Sequence, residues 1–434
     1  MSSPPAISRA ASAFEVMRIA FYAPLKPPSH PVPSGDRRIA RLLLQALRRR
    51  GHDVRVVSTF RSHEGEGDRA KQDDIERRGA VEARRLVRGP LNHWRPHAWF
   101  TYHLYQKAPD WLGPPIAKKL GIPYLVAEAA YAPTRSKGRW DTGLRAVKAA
   151  LRQADTVFML NPNDEECVAP LVRKRAGGCG VFSGVLSQKE RFRGWAEFPA
   201  WEKRAPTRPA VLEPLLPFLN MTPSATRMQL ERARYRRALA RRFRIAAAVP
   251  WLLAVGMMRG GDKVRSYGLL ARALRGLDGA RWRLLIVGDG PARDAVRRLF
   301  APLGRRAHFL GALPHRDLMR VYAASDLFVW PAINEAVGMA ILEAQAMGLP
   351  AVVGDSGATG VMVADGKTGK VVPVGRVAPF RRAIAELLAR PEERRAMGEA
   401  AGIKVVLFHD LPAAAVHLEA ALLAAAARAK GRRR

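Results

Sequence analysis

Two carboxylates stand in an otherwise apolar stretch, "PAINEAVGMAILEAQAMGLPAVVGDSG" (Pro331–Gly357): Glu335 before a run of small residues, and Glu343 inside a helix-like segment. An ionised carboxylate can accept from two neighbouring donors at once, which suits the adjacent hydroxyls of a ribose or a hexose. Burying one without a partner is costly. Spacing alone leaves open the plainer alternative of two surface residues on an ordinary helix. A second group lies upstream in "AVGMMRGGDKVRSYGLL" (Ala254–Leu270), where Arg259 and Lys263 occupy a Gly-rich turn after an apolar run. Glycine lets an anion approach the backbone, a following helix contributes positive potential at its start, and two cations complement a diphosphate. In so basic a chain, two cations on a loop are weak evidence by themselves.

Other patterns exclude more than they assign. "VGDGPARDAV" (Val287–Val296) begins like a dinucleotide fingerprint, but Arg293 takes the third glycine position. A tight strand-to-helix turn is expected there, and a dehydrogenase is disfavoured. Cys167 and Cys179 have no metal or disulfide-framework spacing, and no Asp/His cluster suggests a metal site, so none is expected. Two thiols in such a chain fit a reducing cytoplasm.

These residues need elements to position them. From Met17 onward strand-like apolar runs alternate with amphipathic helices, the pattern of parallel sheets covered on both faces. The runs "RIAFYAP", "DVRVVS", "AWFTYH", "IPYLVAE" and "TVFML" form one Rossmann-like series, and "WLLAVGM", "WRLLIVG", "AHFLGA", "DLFVWP" and "PAVVG" a second. Asp36 is expected to cap the first helix, which carries Ile39, Leu42, Leu43, Ala46 and Leu47 and stops at Gly51. Helices are also expected from Ala225 to Phe243, from Ser266, and from Pro291 and Pro314, with these prolines in the first turn. Residues 173–218 show no clean period.

The expected organisation is therefore a disordered extension at 1–16, an N-terminal Rossmann-like domain at 17–215, and a linker with a basic helix at 216–249. A second Rossmann-like domain at 250–402 and a C-terminal helix with a basic tail at 403–434 complete it. The fold class is α/β, with two doubly wound parallel-sheet domains facing a central cleft. Ligands in such sheets sit beyond the carboxyl ends of the strands.

The net charge is +35, from 73 basic and 38 acidic residues, and 58 of the basic residues are Arg. That balance fits either a preference for Arg on solvated faces or a role at an anionic membrane surface. Nucleic acid is disfavoured, because no aromatic RNA-binding motif or zinc-finger spacing accompanies the charge. No apolar run reaches the roughly 20 residues that span a bilayer. The expected location is cytoplasmic, peripheral at the inner face of the membrane. A non-catalytic basic protein that docks to anionic membrane or nucleic acid is the competing reading.

"NEAVGMAILEAQAMGLPAVVG" resembles the glutamate-x7-glutamate motif of retaining glycosyltransferases of the GT-B fold, in particular glycosyltransferase family 4. "AVGMMRGGDK", "LLIVGDGP", "HFLGALPHRDLMRVYAASDLFVWPA" and "DGKTGKVVPVG" resemble further segments of that family in order, as does "MRIAFYAP…GDRRIARLLLQALRRRGHDVRVVS" at the start. The resemblance implies a nucleotide-diphosphate sugar as co-substrate, no metal, and a sugar or lipid-linked acceptor. It implies that Glu343 holds the ribose, that Lys263 and Arg259 hold the diphosphate, and that Glu335 with the amides around Val337, Gly338 and Met339 holds the sugar. Gly35 would face the donor from across the cleft, and His103 matches a cleft histidine. The chain departs from the pattern at Ala336 and Val337, where Gly and Phe are usual, and at Met257, where the phosphate Arg is usual. Glu128 stands where a second His is common and is expected to face the sugar.

Overall fold

The computed structural model describes residues 16–32, 34–135, 138–173, 212–220, 222–277, 279 and 281–431. The extension expected at 1–16 lies outside them except for Val16, as do most of the stretch 173–218 and the end of the basic tail.

Six strands, β1 (Arg18–Tyr22), β2 (Asp53–Val56), β3 (Ala98–Leu104), β4 (Tyr124–Ala129), β5 (Thr156–Met159) and β6 (Leu212–Pro214), form the first sheet. Its order is β2-β1-β3-β4-β5-β6. The second sheet contains β7 (Trp251–Val255), β8 (Arg283–Val287), β9 (Ala307–Gly311), β10 (Leu327–Trp330), β11 (Ala351–Gly354) and β12 (Gly369–Val372), in the order β12-β11-β10-β7-β8-β9. The pairings are parallel throughout. Both faces of such a sheet are covered by helices, so its strands read as continuous apolar runs. Ile19, Ala20, Phe21, Leu252, Leu253 and Ala254 are accordingly inaccessible to solvent.

Each sheet reverses its winding once, between β1 and β3 in the first and between β7 and β10 in the second. The loops that leave these strands open a crevice in which ligands of doubly wound sheets bind. The two crevices face each other across one cleft of about 1220 Å³, lined from both domains.

Several local expectations are corrected. The cap of the first helix (Gly35–Arg49) is Ser34, whose hydroxyl accepts from the Arg37 amide at 3.2 Å. Asp36 sits in the first turn instead. The expected apolar face, Ile39, Leu42, Leu43, Ala46 and Leu47, is buried. The helix after β7 begins at Asp262 rather than Ser266, so Lys263 lies in its first turn. Pro291 and Pro314 precede their helices, Arg293–Phe300 and His315–Ala324, rather than entering them. The basic helix is two helices, Thr222–Leu230 and Arg232–Phe243, interrupted at Glu231.

The chain returns to the first domain after the helix Pro391–Phe408, which runs through the boundary drawn at Gly402. At this crossing Leu219 N–H donates to the His409 carbonyl, and Leu411 N–H to that of Leu219, both at 2.8 Å. His409 Nδ1 donates to the Pro217 carbonyl at 2.6 Å, leaving Nε2 to accept from Lys404 at 2.7 Å. The last helix, Leu411–Gly431, is by length and composition apolar enough to cross a membrane, where no such segment was expected. Its face bearing Leu411, Ala415, Leu418 and Leu422 is buried, and Glu419 and Arg428 tie it to Arg50 and Thr156 of the N-terminal domain.

Candidate functional site

The loops after β7 and β10 supply the C-terminal wall of the cleft. One face of the helix Asp262–Arg275 grips the β10 loop in register. Asn334 donates to Asp262 Oδ2 at 2.9 Å, Lys263 Nζ to Glu335 Oε2 at 2.5 Å, and Ile333 N–H to Ser266 Oγ at 3.1 Å. The loop needs such restraint because Ala332 and Asn334 hold positive φ values of 54° and 51°, a strained region for non-glycine residues. From the other side Ser356 Oγ accepts from Glu335 N–H at 3.1 Å. Gly357, with φ +56°, lies so close that a Cβ would fall 2.0 Å from the Glu335 carbonyl oxygen.

Glu335 is thus fixed at both ends. Its Oε2 also accepts from the Trp330 indole at 3.0 Å, and the Lys263 ammonium lies 5.2 Å from the centre of that ring. Arg259, Gly260 and Lys263 line the cleft at the start of the helix, and nothing lies within 4 Å of where a Cβ on Gly260 or Gly261 would be. The first amides of a helix have no partner within it and direct positive potential outward. This corner can therefore accept a diphosphate between Lys263, Arg259 and the helix start.

Val337 and Met339 line the cleft with their side chains buried, so what they offer a ligand is chiefly backbone. Gly338, at φ +74°, starts the helix Met339–Ala346. Glu343 lies in that helix with its side chain 5% exposed, and it pairs with Arg38 of the first domain. The alternative of surface glutamates is thereby corrected for both carboxylates: Glu343 is buried and Glu335 is half-buried, in contact with Lys263.

The G-x-G turn after β8 serves packing. A Cβ on Gly288 would lie 1.9 Å from the Gly256 carbonyl oxygen, and one on Gly290 2.5 Å from that of Met258. The two glycines bring the β8 loop against the β7 loop and leave no room for a pyrophosphate between them.

The opposite wall comes from the carboxyl ends of β1, β3 and β4. Gly35 opens the first helix with free space where a side chain would be. His103 and Glu128 end neighbouring strands with φ values of 67° and 61°, a conformation non-glycine residues rarely adopt outside functional positions. His103 Nδ1 lies 3.3 Å from Asp36 Oδ1. Burial opposes charge on His103, but Glu128, Asp36 and Asp164 outweigh it and push the imidazole up to about 9. Burial raises Glu128, against the pull of His103. Burial first and Glu128 second push Asp164, in the loop after β5, up to about 6. At neutral pH His103 is therefore a cationic donor, and proton-accepting capacity on this wall rests with the carboxylates.

Glu128 Oε2 is buried without a hydrogen-bond partner among the described residues, and Glu128 lines the cleft. Asp164 and Arg38 were not singled out in the sequence, and Asp36 only as a helix cap. Asp164 follows a buried strand within "NPND", the kind of strand-end loop that warranted attention. The described residues hold no group of three or more His, Cys, Asp and Glu side chains placed to bind a metal ion.

Two doubly wound domains with a cation-lined cleft between their strand ends define the GT-B class of fold. Solved structures share it: sucrose-phosphate synthase from Thermosynechococcus elongatus (TM-score 0.64, 20% identity, covering 93% of this chain and 97% of that one) and HepE of Anabaena in complex with UDP (TM-score 0.65, 15% identity, 94% and 99%). Residues 258–403, about a third of the chain, match the family described as glycosyl transferases group 1.

Among curated relatives, the chain is 38% identical over 125 residues to a GDP-mannose-dependent monoacylated alpha-(1-6)-phosphatidylinositol monomannoside mannosyltransferase of Corynebacterium glutamicum, covering 27% of this chain and 32% of the relative. It is 33% identical over 174 residues to the alpha-D-kanosaminyltransferase of Streptomyces kanamyceticus, covering 40% and 43%. The chain thus spans less than half the length of these relatives.

Proposed function

We propose that this protein transfers a sugar from a nucleotide-diphosphate donor to an acceptor hydroxyl with retention at the anomeric carbon. The observation that carries the reading is the contact of Lys263 with Glu335 at the mouth of β7 and β10, within one cleft that also holds Glu343, His103 and Glu128. Lys263, Arg259 and the start of the helix Asp262–Arg275 stabilise negative charge as the diphosphate departs. Glu335 and the backbone at Val337, Gly338 and Met339 hold the sugar, and the Glu335 carboxylate steadies an oxocarbenium-like state. Glu343 holds the ribose hydroxyls. Gly35 leaves space for the donor on the far side, where cationic His103 donates to the transferring group. Glu128 faces the acceptor with an oxygen available to its hydroxyl.

The acceptor we favour is lipid-linked, met at an anionic membrane face. Ile403, Val406, Leu407 and Phe408 are 61%, 47%, 59% and 40% exposed at the end of one helix. Beside them Gln229 approaches Gly402, and the chain continues through the exposed Leu230 into the Arg-rich helix Arg232–Phe243. Apolar side chains beside a basic helix suit the boundary of an anionic bilayer. Incubation with a panel of nucleotide sugars and a lipid extract, followed by intact-mass detection, tests the reading. A product heavier by one sugar residue supports it, and consumption of no donor overturns it.

A further inference from the structure

Glu343 is assigned to the ribose, yet its Oε1 is already taken. Arg38, in the first turns of the helix Gly35–Arg49, reaches from the N-terminal domain across the cleft and pairs with it. The two side chains are 29% and 5% exposed. A carboxylate so enclosed cannot stay ionised without a counter-ion, so the ligand-free protein needs a guanidinium there or an equivalent. The same carboxylate oxygens are the ones two adjacent ribose hydroxyls would use. His315 lines the same cleft from the C-terminal domain, and burial first and the Arg38 charge second lower its pKa. Arg37 and Arg41, neighbours of Arg38 on the helix, are committed to the backbone of the preceding loop at His30 and Pro28, at 2.7 and 2.8 Å.

Resting on the donor-site reading above, we propose that Arg38 is a positioning residue of the ribose site. It occupies Glu343 while the site is empty, holds the two domains together at that point, and is displaced when a ribose diol arrives. Nucleotide binding then breaks one interdomain ion pair, and apparent affinity is reduced by the fraction of molecules in which the pair is closed. Three other roles give different signatures. A diphosphate ligand would lose affinity on removal, a purely structural residue would leave affinity unchanged, and a catalytic group would change turnover alone.

The test is titration calorimetry of the full chain and its Arg38→Gln and Arg38→Lys variants with UDP, GDP and inorganic pyrophosphate, alongside thermal melts. Expected for Arg38→Gln are a lower Tm without ligand and about tenfold tighter binding of whichever nucleotide the wild type prefers. Binding of pyrophosphate, which has no ribose, is expected to stay the same. Arg38→Lys keeps the charge on a single donor and is expected to fall between. It carries the comparison if Arg38→Gln does not fold. Weaker or unchanged nucleotide binding in the folded variants overturns the proposal and leaves the donor site intact. Failure of every protein to bind either nucleotide overturns the donor site, and the role of Arg38 with it.

Discussion

Replacing Lys263 by Met removes the ammonium while keeping most of the aliphatic stem. In the structure that ammonium lies 2.5 Å from Glu335 Oε2, and Glu335 retains the Trp330 indole at 3.0 Å when it is lost. The two side chains are 24% and 16% exposed, so water compensates part of the loss. The cost to folding is about 1–2 kcal/mol. In a domain of this size that lowers Tm by about 2–8 °C. The loss in catalysis is larger, because the charge it stabilises grows only as the diphosphate departs. Removing one such donor costs about 3–4 kcal/mol, a fall in kcat of about 10²- to 10³-fold. The assay is release of nucleoside diphosphate at saturating donor, with circular dichroism and melting curves on the same samples. A folded variant with kcat within about tenfold of wild type would refute the assignment of Lys263 to the leaving group.

Other consequences follow from the same geometry. The His103 imidazole is raised from 6.5 to about 9, so the stability it contributes is complete below pH 6.5 and is lost as pH rises through about 9. The Tm gap between wild type and His103→Asn should narrow across that window, and a constant gap would contradict the pairing. Asp164 is raised from 3.8 to about 6, so its cost to folding is present above about 6 and disappears as pH falls toward 3.8. Asp164→Asn should therefore melt higher than wild type at neutral pH and equally at acid pH. Gly357→Ala forces a Cβ to within 2.0 Å of the Glu335 carbonyl oxygen. It should cost about 1–3 kcal/mol or more and raise KM for the donor, as measured by melts and donor titration. Ile403→Asp with Leu407→Asp should weaken flotation with phosphatidylglycerol vesicles without lowering Tm, since both side chains are exposed. Equal flotation of variant and wild type would contradict docking through this face.

The strands were legible because a parallel sheet buried on both faces demands unbroken apolar runs, and ten such runs stand out in the sequence. The other two strands were not. β6 is three half-buried residues within the stretch without a clean period, and β12 is an edge strand buried only at Gly369 and Val372. Helix starts were displaced, with Ser34 rather than Asp36 capping the first helix and Asp262 rather than Ser266 opening the helix after β7. That Glu335, Glu343 and Lys263 line one cleft was legible because the two glutamates stand eight residues apart in one motif and Lys263 follows a Gly-rich turn in another segment of the same series. Arg38 and Asp164 were not, because their significance arises only from partners that the fold brings together. Arg38 meets Glu343 from the other domain, and Asp164 meets Glu128 from a neighbouring strand end. Nothing local in "GDRRIARL" separates Arg38 from Arg37.

The central claim is that the Lys263–Glu335 corner holds a nucleotide-diphosphate sugar for transfer. The most direct measurement is mass-spectrometric detection of nucleoside diphosphate released from each member of a nucleotide-sugar panel by wild type, Lys263→Met and Glu335→Gln. The account predicts release from a narrow set of donors by the wild type, and near-complete loss of that release in both folded variants. Release at the wild-type rate by either variant, or from no donor at all, would contradict it.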